Sequence, residues 1–204
     1  MPLFYQHNIN QTTKLAVWKI QEAEDFFLKK VHLQKEIHHP HKRLQHLAGR
    51  YLLELLNPGF PFHLIEIAPS NKPLLLNEEF HFSISHCADF AAAIVSEDTL
   101  AGIDVELIQP KIECIKHKFL SEKEQNMLPV LNDQMLTLLW SCKEAVYKWH
   151  GKGGVDFKSH IVIKNITINT TDGMVECRFM KEMQMNLNIY FRLFQNLCLA
   201  WVTG

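Results

Sequence analysis

Two acidic residues alternate with apolar ones in the run AGIDVE at residues 101–106. In a β-strand, side chains two positions apart lie on one face, so Asp104 and Glu106 would stand roughly 6.5–7 Å apart while Ile103 and Val105 point into a core. Carboxylate oxygens on a rigid strand suit a hard cation such as Mg²⁺, with phosphate and water completing its coordination. A half-buried strand with an acidic outer face would show the same pattern, so both interpretations stay open for this run alone.

A second candidate is the run WSCKEAVYK at residues 140–148, whose pattern predicts a helix. Trp140, Glu144 and Lys148 are four residues apart and therefore share one stripe of that helix. A carboxylate and an ammonium group beside an aromatic anchor could supply a metal ligand and a phosphate contact on one rigid element. The alternative is an ordinary Glu-to-Lys pair on a helix surface, worth only about 0.2–0.5 kcal/mol.

Two shorter elements precede these runs, Lys72-Pro73 and the segment FSISH at residues 82–86. His86 closes a predicted strand, from which its ring could donate to phosphate oxygens. Taken singly, Lys72 before Pro73 indicates only a turn, and a lone histidine is typical of a structural residue. Their order along the chain is the informative feature, because Lys-Pro and Ser-His come before the two longer runs.

In this order the elements resemble the 4'-phosphopantetheinyl transferase superfamily, whose signatures are written (V/I)G(V/I)D-x-E and (F/W)(S/C/T)xKE(A/S)xxK. The second signature is met at every defined position of residues 140–148, and the first is met from Gly102 to Glu106, with Ala101 in place of the usual larger residue. The GKG sequence at residues 151–153 also looks like the family's continuation. The resemblance extends over residues 72–154.

The resemblance implies an enzyme that transfers the phosphopantetheine arm of coenzyme A to a serine of an apo acyl or peptidyl carrier protein, and that releases adenosine 3',5'-bisphosphate. Mg²⁺ would be held by Asp104, Glu106 and Glu144. Asp104, Glu144 and Lys148 form the implied catalytic set. Glu144, expected to be anionic near neutral pH, would also deprotonate the serine, directly or through water.

The coenzyme A contacts follow from the same resemblance and include basic, hydroxyl and turn residues. They are Arg43, Lys72, Pro73, Ser85, His86 and Lys148. Lys72 and Pro73 would border the adenine, and His86 and Lys148 would contact phosphates. Arg43 is the candidate for the 3'-phosphate, because a planar guanidinium suits phosphate, and Arg50 is its rival. The family's further N-terminal lysine contacts have three unranked candidates here, Lys29, Lys30 and Lys35.

Two other function classes compete with this interpretation. A metal-dependent phosphodiesterase or nuclease could use the same carboxylates to activate water, although a formal net charge of -1 disfavours a long nucleic-acid substrate. A non-catalytic coenzyme A binding module would be expected to lack a metal ligand, and Asp104, Glu106 and Glu144 are all present. The histidines at positions 38, 39 and 41 lack a downstream Cys or His pair, so they do not predict a zinc site.

The surrounding elements predict an α+β fold of two similar halves, residues 1–98 and 99–204, each with a helix and antiparallel strands. The long segment before Gly102 resembles the surfactin-synthetase-activating type of the superfamily, which implies pseudo-twofold symmetry, a site between the halves and a monomer. The first half would hold the coenzyme A side, with Lys72 and His86, and the second half the metal and catalytic motifs.

Helix and strand boundaries can also be predicted from local signals. Pro40 suits the first turn of a helix that the NPG sequence at residues 57–59 ends, and SEKE at 121–124 is a capping box. The longest helical pattern covers residues 131–149 and is closed by the glycines that follow. Strand-like stretches are predicted at residues 160–169, 174–183 and 187–202.

Composition supports a globular cytoplasmic protein. Hydrophobic residues make up 47% and charged residues 21%, and the five cysteines include no CxxC pair, which favours reduced thiols. No apolar run approaches the ~20 residues that span a bilayer, and the N-terminal residues show no signal-peptide pattern. We therefore expect neither nucleic acid nor membrane as a partner.

Overall fold

The computed structural model describes residues 2–33, 36–76, 79–128 and 130–204. The chain divides into two compact units, Met1–Ala101 and Gly102–Gly204. Each unit combines helices with antiparallel strands and has its own buried apolar cluster. The predicted α+β class is therefore confirmed.

The first unit contains a four-stranded antiparallel sheet and a separate two-stranded hairpin. Its strands are β1 (Leu3–Asn8), β2 (Thr13–Lys19), β3 (Ile65–Ile67), β4 (Pro73–Leu75), β5 (His81–Cys87) and β6 (Phe90–Ser96). The sheet order is β1-β2-β6-β5, and β3 pairs with β4. Its helices are α1 (Glu24–Leu28) and α2 (Pro40–Leu56), with a short 3-10 helix at Phe62–Leu64.

Helix α2 begins and ends where the sequence predicted. Pro40 occupies its first turn, where the missing N–H would have no partner, and His39 accepts a hydrogen bond from the Lys42 amide. The helix ends at Leu56, immediately before the NPG sequence. One face packs against β2, β5 and β6, so apolar burial stabilises the sheet of this unit.

The second unit is built on a five-stranded antiparallel sheet. Its strands are β7 (Ala101–Leu107), β8 (Ile161–Asn169), β9 (Asp172–Met180), β10 (Gln184–Leu193) and β11 (Leu197–Thr203). The order is β7-β11-β10-β9-β8. Its helices are α3 (Lys116–Phe119), α4 (Glu122–Met127) and α5 (Asp133–His150), with a 3-10 helix at Pro110–Ile115.

The strand-like stretch predicted over residues 187–202 is β-structure, but it is divided by a turn and forms parts of two strands. Strand β10 ends at Leu193, the chain turns with Phe194 donating to the Leu197 carbonyl at 2.8 Å, and β11 returns antiparallel. Apolar residues continue on both sides of the turn, so the pattern gives little sign of the reversal.

Local sequence signals correctly predicted the positions of α4 and α5. The capping box of α4 is present, with Ser121 and Glu124 each bonding the other's backbone amide. Helix α5 begins after Asn132, whose side chain accepts from the Met135 amide at 2.9 Å, and ends at His150, just before Gly151, which has a φ of 72°. Among the described residues, no helix combines the length and apolar character needed to cross a membrane.

Candidate active site

Strand β7 carries the first pair of acidic residues, and helix α5 closely approaches this strand. A Cβ atom added at Gly102 would lie 2.0 Å from the Ala145 carbonyl oxygen and 2.6 Å from the Trp149 amide nitrogen. No side chain fits at that separation, so the two backbones can approach only because position 102 is glycine. This contact brings the AGIDVE strand against the helix that carries Glu144 and Lys148.

The close approach changes the environment of Asp104. Ile103 and Val105 are fully buried, as predicted, but Asp104 itself is only 2% exposed. The interpretation of β7 as a strand with an acidic solvent-facing side is therefore wrong for Asp104. Such burial of a carboxylate requires a compensating charge or hydrogen bonds.

Lys148 supplies that charge. Its Nζ donates to Asp104 Oδ1 at 2.6 Å, and the lysine side chain is 24% exposed. Lys148 is therefore not merely the surface partner of Glu144 that the alternative interpretation described, because it reaches across to β7 and pairs with a buried carboxylate. The ion pair places a positive charge at the edge of the acidic cluster, where a phosphate oxygen could also be bound.

The pKa values of the two remaining carboxyl groups are raised from their ordinary range toward neutral pH. Burial and the negative charge of Asp104 raise the pKa of Glu106 to about 7, against the opposing effects of a hydrogen bond from Trp140 and the charge of Lys148. Burial and Asp104 likewise raise the pKa of Glu144 to about 7, with Lys148 opposing. The expectation that Glu144 is fully anionic near pH 7 therefore needs correction, since burial disfavours its charged form.

These three carboxyl groups fit a hard divalent cation by their chemistry. Within the described part of the chain, no three His, Cys, Asp or Glu side chains are grouped so that they could hold a metal ion as they stand. Besides burial, repulsion by the negative charge of Asp104 contributes to the raised pKa of both Glu106 and Glu144. A divalent cation with oxygen ligands would offset that repulsion.

Trp140 acts as the aromatic anchor of this cluster. Its ring lies 5.3 Å from that of Phe119 and 5.4 Å from that of Phe157, measured between centroids. Its indole hydrogen-bonds Glu106. Because the ring is packed on two sides, it holds the Glu106 carboxylate in a defined orientation.

Sequence reasoning assigned no role to Lys143, although it lies inside the matched motif. Its side chain is completely buried and its ammonium group is paired with Glu124. The sequence signal for a separate role was its position in the helix. Residue 143 lies about 100° around the axis from Glu144 and therefore faces a different side of the helix. Glu124 was predicted as part of the capping box, but its ion pair with Lys143 was not predicted.

The remaining predicted site residues lie in the first unit. Lys72 follows a turn in which Asn71 has a φ of 66°, and Pro73 begins β4. Burial lowers the pKa of Lys72 to about 8. Ser85 is buried and His86 exposed near the end of β5, as neighbouring residues of one strand require.

The two arginine candidates have different surroundings. Arg43 donates from Nε to both carboxylate oxygens of Glu24 at 2.8 Å and from a terminal nitrogen to the Ile37 carbonyl at 3.1 Å. Arg50 is buried, which lowers its pKa, and it bonds His46. Of the three lysine candidates, Lys29 and Lys30 are exposed, and Lys35 lies outside the described residues.

Comparison with protein families agrees with the motifs on β7 and α5. The model of the 4'-phosphopantetheinyl transferase superfamily matches residues 101–198, a range that contains both acidic runs. No curated protein matches the chain significantly. Over residues 101–198, the chain is therefore similar to the 4'-phosphopantetheinyl transferase superfamily.

Proposed function

We propose that the protein transfers the 4'-phosphopantetheine arm of coenzyme A to a serine of an apo acyl or peptidyl carrier protein, in a reaction that requires Mg²⁺. The observation that carries this proposal is the pairing of Lys148 with the buried Asp104 at 2.6 Å, next to Glu106 and Glu144, whose pKa values burial and Asp104 raise. All four residues lie in the part of the chain that matches the superfamily.

The three carboxylates would hold Mg²⁺, which when bound supplies positive charge to the pyrophosphate oxygens of coenzyme A. Lys148 binds a phosphate oxygen from the edge of the cluster. Glu144 accepts the proton of the carrier serine, a role for which a pKa of about 7 is well matched to neutral pH.

The transfer exchanges one phosphorus–oxygen bond for another. The serine oxygen forms a bond to the phosphorus that carries the pantetheine arm, and the phosphoanhydride bond breaks. The electron pair of that bond leaves with adenosine 3',5'-bisphosphate. The serine proton is then on Glu144, from which solvent removes it.

Within the proposal, residues 1–98 contribute the coenzyme A contacts and residues 99–204 the catalytic groups. The proposed contacts in the first half are Arg43, Lys72, Pro73, Ser85 and His86. A monomeric enzyme in the cytoplasm is part of the same proposal, and the five cysteines, all within described residues, are free thiols that suit a reducing compartment.

The direct test is mass spectrometry of apo-carriers. Incubation with coenzyme A and Mg²⁺ should add about 340 Da, one phosphopantetheine, to a carrier, because the arm is transferred as a group. Carriers with the acceptor serine replaced by alanine, and reactions with the metal chelated, should show no gain. A broad panel of acyl and peptidyl carriers that all keep their mass would contradict the proposal. Release of adenosine bisphosphate without any carrier would favour a phosphodiesterase.

Glu144→Gln should lower kcat by about 10²-fold or more, because the amide neither accepts the serine proton nor carries the negative charge of a ligand. The melting temperature should barely change, since the substitution keeps the shape of a half-buried side chain and removes a charge that burial disfavours. Steady-state kinetics measure kcat, and thermal unfolding measures the melting temperature. Glu122→Gln, on the exposed side of α4, is the matched control and should leave kcat unchanged. Equal kcat values for the two variants would show that Glu144 has no catalytic role.

A further inference from the structure

Lys143 is a completely buried lysine whose ammonium group is fully used inside the protein. Its Nζ donates to the Phe119 carbonyl at 2.8 Å, to the Phe157 carbonyl at 2.8 Å and to Glu124 Oε1 at 2.7 Å. An ammonium group has three donors, so each one has an acceptor. The acceptors belong to the end of α3, to α4 and to the segment between α5 and β8, which Lys143 therefore ties to α5.

Glu124 is the second half of this arrangement and is just as fully bonded. Its Oε1 also accepts from the Ile163 amide at 3.0 Å, on β8. Its Oε2 accepts from the amide of Ser121 at 2.9 Å and from the hydroxyl of the same residue at 2.8 Å. The capping box of α4 is thus continuous with a buried ion pair, which we call the Lys143–Glu124 brace.

The brace reaches the candidate metal ligands by two routes. The first is helix α5 itself: fixing Lys143 on one side of the helix fixes the direction of the adjacent Glu144, roughly 100° around the axis. The second is Trp140, because the backbone carbonyls that accept from Lys143 belong to Phe119 and Phe157, the two residues whose rings pack on Trp140. Through that indole the brace acts on the hydrogen bond to Glu106.

We propose that Lys143 and Glu124 are positioning residues for the acidic cluster, and that their buried ion pair sets the orientation of both Glu144 and Glu106 toward a bound divalent cation. The inference rests on the proposed function in taking these two glutamates as ligands. Groups that orient metal ligands without touching the metal commonly change metal affinity by about 10–100-fold when they are altered.

The test separates positioning from simple stabilisation by removing both charges at once. A lone buried charge is strongly destabilising, whereas joint replacement of a buried pair by uncharged side chains of similar size is often tolerated. The variant is therefore Lys143→Met combined with Glu124→Gln. Mn²⁺ binding is measured by electron paramagnetic resonance in the presence of coenzyme A, together with the melting temperature and the nuclear magnetic resonance signal of the Trp140 indole N–H.

The expected result is a folded double variant in which the dissociation constant of Mn²⁺ rises by about 10-fold or more and the Trp140 signal moves. The matched control is Lys116→Met with Glu113→Gln, which removes an exposed pair of the same kind in the same unit and should leave Mn²⁺ binding and the Trp140 signal unchanged. If the double variant does not fold, Glu124→Asp is measured instead, because it keeps both charges of the pair while its shorter side chain cannot keep the same geometry.

A folded variant with wild-type Mn²⁺ affinity and an unmoved Trp140 signal would overturn the inference and leave the brace with a structural role only. Failure of the proposed function has a different signature. In that case the wild-type protein would not bind Mn²⁺ in the presence of coenzyme A, while the Trp140 signal would still report whether the brace orients the residue that holds Glu106.

Discussion

Asp104→Asn should lower kcat by about 10³-fold or more while the protein stays folded. The substitution keeps the volume of a side chain that is 2% exposed, and its amide oxygen still accepts from Lys148 Nζ, which Asp104 Oδ1 meets at 2.6 Å. It removes the negative charge that a metal ligand supplies. A loss of several kcal/mol of transition-state stabilisation, at a factor of ten for each 1.4 kcal/mol, gives the predicted size.

The measurement is kcat at saturating Mg²⁺, with thermal unfolding of the same preparation. Asp172→Asn is the matched control, because that residue is exposed at the start of β9 in the same unit. We expect Asp172→Asn to leave kcat and the melting temperature nearly unchanged. A rate near that of the wild type for Asp104→Asn would exclude this carboxylate from the catalytic site.

Gly102→Ala should destabilise the protein and also impair the remaining folded enzyme. The new Cβ would stand 2.0 Å from the Ala145 carbonyl oxygen, and backbone atoms cannot rotate away as a flexible side chain would. Helix α5 and β7 must separate, which we expect to cost about 3 kcal/mol, or about 6–12 °C in melting temperature. A displacement of about 1 Å between Asp104 and Glu144 should lower kcat by about 10²-fold in addition.

Gly173→Ala separates the two effects. Its Cβ would also meet a backbone oxygen at 2.0 Å, that of Thr167, but at the hairpin between β8 and β9. We expect a comparable loss of melting temperature with an unchanged kcat for the folded fraction. If Gly102→Ala likewise kept its kcat, the contact between β7 and α5 would not position the site.

The sequence predicted those features that depend on neighbouring residues. The start of α2 at Pro40, the capping box at Ser121 and the left-handed Gly151 after α5 all follow from local backbone chemistry, and the structure has each of them. The two motifs also placed the acidic residues on the correct elements. Local rules were sufficient because each of these features is complete within a few residues.

Features that depend on which elements meet could not be predicted in the same way. Asp104 is buried and paired with Lys148 because α5 lies against β7. Local sequence patterns do not predict that contact. The burial of Lys143 depends in the same way on α3 and α4, which supply two of its acceptors. The turn after Leu193 was missed for another reason, because apolar residues continue on both sides of it, in β10 and in β11.

The Lys143–Glu124 brace also restricts how this protein can change by mutation. Replacing either residue first leaves the other as a buried, uncompensated charge, which costs several kcal/mol and approaches the whole stability of a typical domain. Replacing both is tolerated far better, but the two codons lie nineteen positions apart. A lineage that lost one member would therefore pass through a poorly folded intermediate, so we expect the two residues to be kept together or exchanged together in descendants of this chain.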